Sequence, residues 1–216
     1  MKKIIKSAFR KIYPSTDQII ENIFRNEIKK GDRVLDLGCG PHSPLKMLKK
    51  EPDFELYSVG VDIFHPYIQN NIEVEKIHTK YIEQNILTID FPEDSFDCAI
   101  MVDVAEHIKR EDFIAFLPKL EKIAKKIIII TPNDFIEQDT YDDNIYQRHL
   151  SGWTVKDFTD LGFKCFGLSG LKSLRKELWI PKIKPITIGG MICDMSQPFV
   201  YNNAKNAYHI IAIKSR

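Results

Sequence analysis

The run Val34-Leu35-Asp36-Leu37-Gly38-Cys39-Gly40 constrains this chain more than any other stretch. Its apolar head reads as a buried parallel strand, since a strand covered on both faces has few polar positions to alternate with. The two glycines that follow let the backbone turn sharply and come close to whatever lies above the strand end. In open parallel sheets ligands bind at that end, so a crevice is expected over residues 36–40. A second strand-like run, Leu56-Tyr57-Ser58-Val59-Gly60-Val61, closes on Asp62, a carboxylate placed to accept hydrogen bonds from ribose hydroxyls. The glycines match a dinucleotide fingerprint only in part, because the sixth position from Gly38 is Ser43. Asp36 would also set negative charge beside a diphosphate, whereas it suits an ammonium or sulfonium neighbour.

Composition bounds the rest. The chain has 216 residues, 44% hydrophobic and 28% charged, which fits one globular domain. A formal net charge of +1 gives no reason to expect nucleic acid or an acidic polymer as partner. Cys39, Cys98, Cys165 and Cys193 lack C-x-x-C spacing, so a reducing, cytoplasmic setting without disulfides is expected. No run of eighteen apolar residues occurs, and the N-terminus lacks the layout of a secretory signal; stable membrane insertion is not expected.

Residues 1–12 hold Lys2, Lys3, Lys6, Arg10 and Lys11 without an acid, with Ile5, Phe9 and Ile12 along one helical face. Two readings stand: a lid over the site or an attachment to anionic lipid or a polar substrate, and a first helix that packs on the domain and solvates its lysines. Ser15 and Gln18 form a capping box for a second helix with Ile20, Phe24 and Ile28 inward. Pro44 marks another helix start, with Leu45 and Leu48 inward. Further strands are expected over 81–86, 96–102, 127–130, 163–168 and 207–213, the last antiparallel and reached without a crossover helix. Helices are expected around Phe113 to Ile123, with Pro118 kinking or delaying it, and over 154–161. Asp103-Val104-Ala105-Glu106-His107 places polar groups at the end of the buried fourth strand. Residues 134–152 read as a substrate-covering loop or an acidic solvated tip, with Tyr141 and Tyr146 as pocket walls or packing anchors. Leu171, Leu174 and Leu178 suggest a helical stripe.

From about Asp32 to Ile213 the sequence resembles the class I S-adenosylmethionine-dependent methyltransferases, in the branch that acts on small molecules. Val34–Gly40 is similar to their first motif and Val59–Asp62 to the second. Phe91-Pro92-Glu93-Asp94-Ser95-Phe96-Asp97 is similar to the approach to the fourth strand, and Thr131-Pro132-Asn133 and Gly162-Phe163 also have counterparts. The resemblance implies an α/β, Rossmann-like sheet of seven strands in the order 3-2-1-4-5-7-6, strand 7 antiparallel, with helices on both faces. Residues 1–31 would pack on or cap a domain spanning 32–216. The cofactor would be S-adenosyl-L-methionine, leaving S-adenosyl-L-homocysteine, and the acceptor a small molecule methylated at oxygen. Asp36, Gly38, Cys39 and Gly40 would line its methionine and ribose portion and Asp62 would take the ribose hydroxyls. Asn85 and Ile86 would border the adenine, with Asn85 where an acid is often found, Ile63 would also contact the cofactor, and Asp103 would face the methionine end. His42 stands where many members have a third glycine.

Since the transferred methyl already sits on a positive sulfur, alignment of nucleophile and methyl does most of the work, and a base is added only for a protonated acceptor. His149 resembles a histidine at that place in related enzymes, and is either catalytic or a loop anchor. His107 is the other candidate: with Asp103 and Glu106 it forms D-x-x-E-H, similar to the E-x-x-E-H of metal-dependent members. The expectation is of no metal, with Asp103, Glu106 and His107 as an oxygen-rich alternative suited to magnesium. His65, His78 and His209 read as structural, and Tyr13 as a core residue or a cover for the cofactor. The rival readings are a catalytically silent module on the same fold and an RNA or protein methyltransferase.

Overall fold

The structure, a computed structural model, describes residues 9–50, 54–140, 143–176 and 179–216. Seven strands form one sheet: β1 (Arg33–Leu37), β2 (Tyr57–Asp62), β3 (Lys80–Glu83), β4 (Cys98–Val102), β5 (Lys126–Pro132), β6 (Lys164–Leu171) and β7 (Ala207–Ser215). Their order is 3-2-1-4-5-7-6, and β7 runs antiparallel to both β5 and β6. The isoleucines of β5 show why this sheet is covered twice. Ile127 and Ile129 join one core with Leu35, Val59 and Met101; Ile128 and Ile130 join the other with Val34 and Ile100. With a side-chain period of two, such a run can be buried only between two layers.

Helix α1 (Thr16–Glu27) starts at the expected Ser15/Gln18 capping box and supplies Ile19, Ile20, Ile23 and Phe24 to the second core. Further helices are α2 (His65–Asn70), α3 (Arg110–Ile123), α4 (Val155–Asp160), α5 (Ile186–Met195) and α6 (Gln197–Tyr201). α3 lays Phe113, Phe116, Leu117 and Leu120 on the first core, and runs through Pro118 from Arg110 onward. It does not start late.

Several expectations need correction. The segment after Pro44 is a 3-10 helix (Pro44–Lys50), although Leu45 and Leu48 are buried as expected. β3 ends at Glu83, because the Asn85 side chain accepts from Leu87 N–H and caps a turn over Ile86–Thr88. β4 begins at Cys98, Phe96 making only an isolated bridge to Ala124, whereas β5, β6 and β7 extend beyond their expected ends. The stripe through Leu171 and Leu174 is a strand end and a 3-10 turn, with Leu178 outside the described residues. The helix of this region is α5, and two helices, α5 and α6, intervene before β7. Of the basic N-terminal helix, residues 1–8, Ile5 among them, lie outside the described residues. Residues 9–12 are helical, and Ile12, expected on the packed face, is 69% exposed. All four cysteines are free. No helix among the described residues is long and apolar enough to cross a membrane.

Candidate active site

The tips of β1, β2 and β4 open into a crevice of about 490 Å³. Asp36 lies opposite Gly60 in the β1–β2 register. A Cβ on Gly60 would fall 2.4 Å from the His78 ring, so only glycine leaves room for that imidazole. His78 is wholly buried, and its Nε2 lies 3.3 Å from Asp36 Oδ2 without the alignment of a hydrogen bond. The Ser43 hydroxyl donates to the same oxygen. Asp36 is thus held in the wall by partners on two sides.

Past Asp36 the chain turns through Gly38 (φ +68°), where a Cβ would come within 2.5 Å of Val104. Gly38 and Cys39 donate their N–H groups to Val61 O, at 2.8 and 3.1 Å. Gly40 N–H donates to one oxygen of Asp62 and Phe64 N–H to the other, both at 2.9 Å. Burial raises the Asp62 carboxyl above its ordinary range, opposed by those N–H groups. Each oxygen keeps acceptor capacity for a hydroxyl. Asp36, Gly38, Cys39, Gly40 and Asp62 all line the crevice, as do Ile63, Asn85, Ile86 and Asp103. The Asn85 oxygen that could accept from a ligand already serves as the turn cap.

The lining also supplies a test of charge. Asp36, Asp62, Asp103 and Asp112 face it with Lys109 as its lysine. A positive ligand centre fits this wall, and a diphosphate does not.

A smaller cavity of about 190 Å³ shares Asp103, His107 and Gln147 with the crevice and adds Glu106, His149, Trp179 and His209. The returning loop is fastened to the turn after β4. Leu150 and Ser151 N–H groups donate to Glu106 O, and the Ser151 hydroxyl and Trp153 indole donate to Ala105 O. Arg110 lies over the Trp153 ring and donates to Gly152 O. These bonds bring His149 beside His107, ring centroids 4.8 Å apart.

Both imidazoles are oriented alike. His107 Nδ1 pairs with Arg148 O at 3.1 Å, and His149 Nδ1 with Ile136 O at 2.6 Å. A carbonyl only accepts, so each Nδ1 carries the proton and each Nε2 keeps its lone pair. Burial lowers both from the ordinary imidazole range, His107 to about 4, so they are neutral near pH 7. Glu106 is buried, accepts from the Thr131 hydroxyl at 2.8 Å, and is raised to about 8 by burial and by Asp103. Asp103 keeps half of its side chain open to solvent.

One ligand atom each from Glu106, His107 and His149 lies within 4.8 Å of the others. Asp103 is not in this group, so the expected oxygen-rich set is replaced by one carboxylate and two imidazoles. That set suits a transition metal better than magnesium.

Of the histidines read as structural, His65 pairs with Glu83 at the surface. His78 backs Asp36, while His209 receives the Trp179 indole N–H at 3.0 Å, pairs with Ser169, and stands 3.9 Å from Asp103. Tyr13 packs on Phe9 and does not line the crevice. Tyr146 does line it, with Asn144, Gln147 and Leu150, three loop residues without a signal in the sequence; Tyr141 lies outside the described residues.

A family model described as a methyltransferase domain matches residues 9–170. An uncharacterized protein of Methanocaldococcus jannaschii is 26% identical over 144 residues, 64% of this chain and 57% of that protein. The phosphoethanolamine N-methyltransferase of Plasmodium falciparum is 25% identical over 159 residues, 70% of this chain and 58% of that enzyme. The chain therefore spans little more than half the length of these curated relatives. A solved S-adenosylmethionine-dependent methyltransferase from Archaeoglobus fulgidus superposes with a TM-score of 0.57 at 18% identity, covering 98% of this chain and 99% of that one.

Proposed function

Because the chain belongs to the methyltransferase domain family, we propose that it moves the methyl group of S-adenosylmethionine onto a small-molecule acceptor, at oxygen. The sulfonium supplies an activated methyl group. Asp62 accepts from the ribose hydroxyls, Asn85 and Ile86 border the adenine, and Asp36 and Asp103 balance the positive methionine end. His149 or His107 takes the acceptor proton at Nε2. The observation that carries this reading is the pair of imidazoles held by carbonyls at Nδ1, in a cavity that shares Asp103, His107 and Gln147 with the acidic crevice. An O–H acceptor needs such a base, since a neutral hydroxyl is a poor nucleophile.

Asp62→Ala tests the cofactor half. Loss of charge-assisted hydrogen bonds is expected to weaken S-adenosylhomocysteine binding by about 1–3 kcal/mol in calorimetry, roughly 5- to 150-fold. Unchanged affinity overturns the ribose assignment. Absence of binding by the intact protein leaves the silent-module reading standing. The grouping of Glu106, His107 and His149 favours a second reading, in which these three residues hold a divalent cation that acidifies the acceptor hydroxyl. Full activity after exhaustive chelation decides for the base; loss restored by added metal decides for the cation.

A further inference from the structure

Helix α5 is turned the wrong way for a surface helix of a water-bathed protein. Its inward face carries Gly189, Cys193 and Asp194, whereas Ile188, Met191 and Met195 look outward, 51, 39 and 43% exposed. With partly buried Ile192 they follow the i, i+3, i+4, i+7 spacing of a single stripe. Gly189 packs so closely against the hairpin around Pro181 and Ile183 that a Cβ there would meet Ile183 O at 2.2 Å. The hairpin adds exposed Ile180 and Ile183, and α6 adds Phe199, 74% exposed. Apolar surface gathered in this way marks an interaction site.

Three observations say what covers it. First, residues 171–206 expose Lys176, Lys182, Lys184 and Lys205, with Lys172 paired to Asp134 and Arg175 buried, while Asp194 is buried against Arg10. Among the described residues this region exposes no acid. Second, that ion pair fastens the segment holding exposed Ile12 to α5. Third, Trp179, 38% exposed, belongs both to this surface and to the wall of the smaller cavity that holds His149 and His107. A second copy of the chain fits poorly, since a two-fold interface would face this cationic surface with itself.

We propose that the α5–α6 face, with its lysines, lies on an anionic lipid bilayer, and that the acceptor is an amphiphile presented there, its polar end entering the cavity beside Trp179. The last clause rests on the methyl-transfer reading; the docking does not. Apolar side chains enter the headgroup boundary while lysines meet anionic lipid, which gives reversible attachment without a spanning helix.

Co-sedimentation of the full chain with phosphatidylglycerol–phosphatidylcholine vesicles tests this. Binding is expected to be at least about tenfold stronger than to pure phosphatidylcholine, and to weaken with salt. Ile188→Glu with Met195→Glu and Phe199→Glu is expected to abolish it, leaving S-adenosylhomocysteine affinity unchanged. Lys182→Glu with Lys184→Glu, which leaves the apolar stripe intact, is expected to remove the preference for anionic lipid. Absence of vesicle binding by the unaltered protein overturns the proposal. So does a dimer in light scattering that the triple substitution splits while vesicles bind neither form. Vesicle binding without S-adenosylhomocysteine binding would fault the methyl-transfer reading and leave the docking surface standing.

Discussion

The half of the sheet made by β1 to β4 and the half made by β5 to β7 build their sites in opposite ways. The first works with strand tips and turns of a few residues: Asp36, Gly38 and Asp62 fall within or directly beyond two strands, and backbone N–H groups lock them together. The second works with long excursions, in which His149 arrives from a loop over 134–152 and Trp179 from a segment of 35 residues between β6 and β7. Geometry fixed by short turns varies little. Geometry delivered by excursions can differ while the sheet stays the same, which is where a choice of acceptor can be made.

If the division is real, His149→Ala should lower turnover about 10²- to 10⁴-fold, the range for a general base, while affinity for S-adenosylhomocysteine stays unchanged. Because burial holds both imidazoles below their usual range, the acidic limb of the pH–rate profile should lie below about pH 6.5. Steady-state kinetics with an acceptor that the protein methylates read both, and unaltered turnover would move the base to His107, on the turn after β4.

Gly38→Ala makes the complementary break. Strain at φ +68° and collision with Val104 should weaken S-adenosylhomocysteine binding by roughly 5- to 150-fold, corresponding to about 1–3 kcal/mol of backbone strain. Adding Val104→Ala should return the share due to the collision, and calorimetry on the two variants would show whether it does.

The smallest effect concerns stability. Glu106 is raised to about 8 in the fold, so between its unfolded value near 4.5 and pH 8 the folded chain binds more protons than the unfolded one. Stability contributed by this group is complete below about pH 4.5 and is lost as pH rises through 8. Glu106→Gln keeps an acceptor for Thr131 and should flatten that decline, by on the order of 1–3 kcal/mol, in denaturant titrations of metal-free protein. Parallel pH profiles for the two proteins would show that Glu106 is not neutral in the fold.

The two halves also differed in how far they could be read from the amino-acid order. Most strands, and the crevice at the tips of β1 and β2, were legible because each depends on a local pattern: an apolar run, a glycine turn, an acid at a strand end; the sheet order, which no local pattern sets, came from the family resemblance. Strand ends were less so, as at β3, where a side-chain cap on Leu87 stops the ladder. His78 could be read as structural but not placed, because its position against Asp36 depends on the gap at Gly60, eighteen residues away, and not on anything adjacent to it. Similarly, Glu106 and His107 carry a visible pattern, but their partner is His149 and not Asp103, a pairing made by the fastening of Ser151 and Trp153 to Ala105. The outward stripe of α5 was hidden for another reason. Apolar periodicity tells that a helix has a greasy side without telling which way that side points.

The Asn133 side chain donates its amide hydrogens to the carbonyls of Ala204, Lys205 and Ala207. One residue at the end of β5 therefore pins the point at which the chain re-enters the sheet, whatever route it has taken since leaving β6. The intervening stretch behaves as a cassette between fixed sockets. Swapping it for another of different length or greasiness would retune what the chain meets at its outer face while leaving the crevice over β1 and β2 untouched.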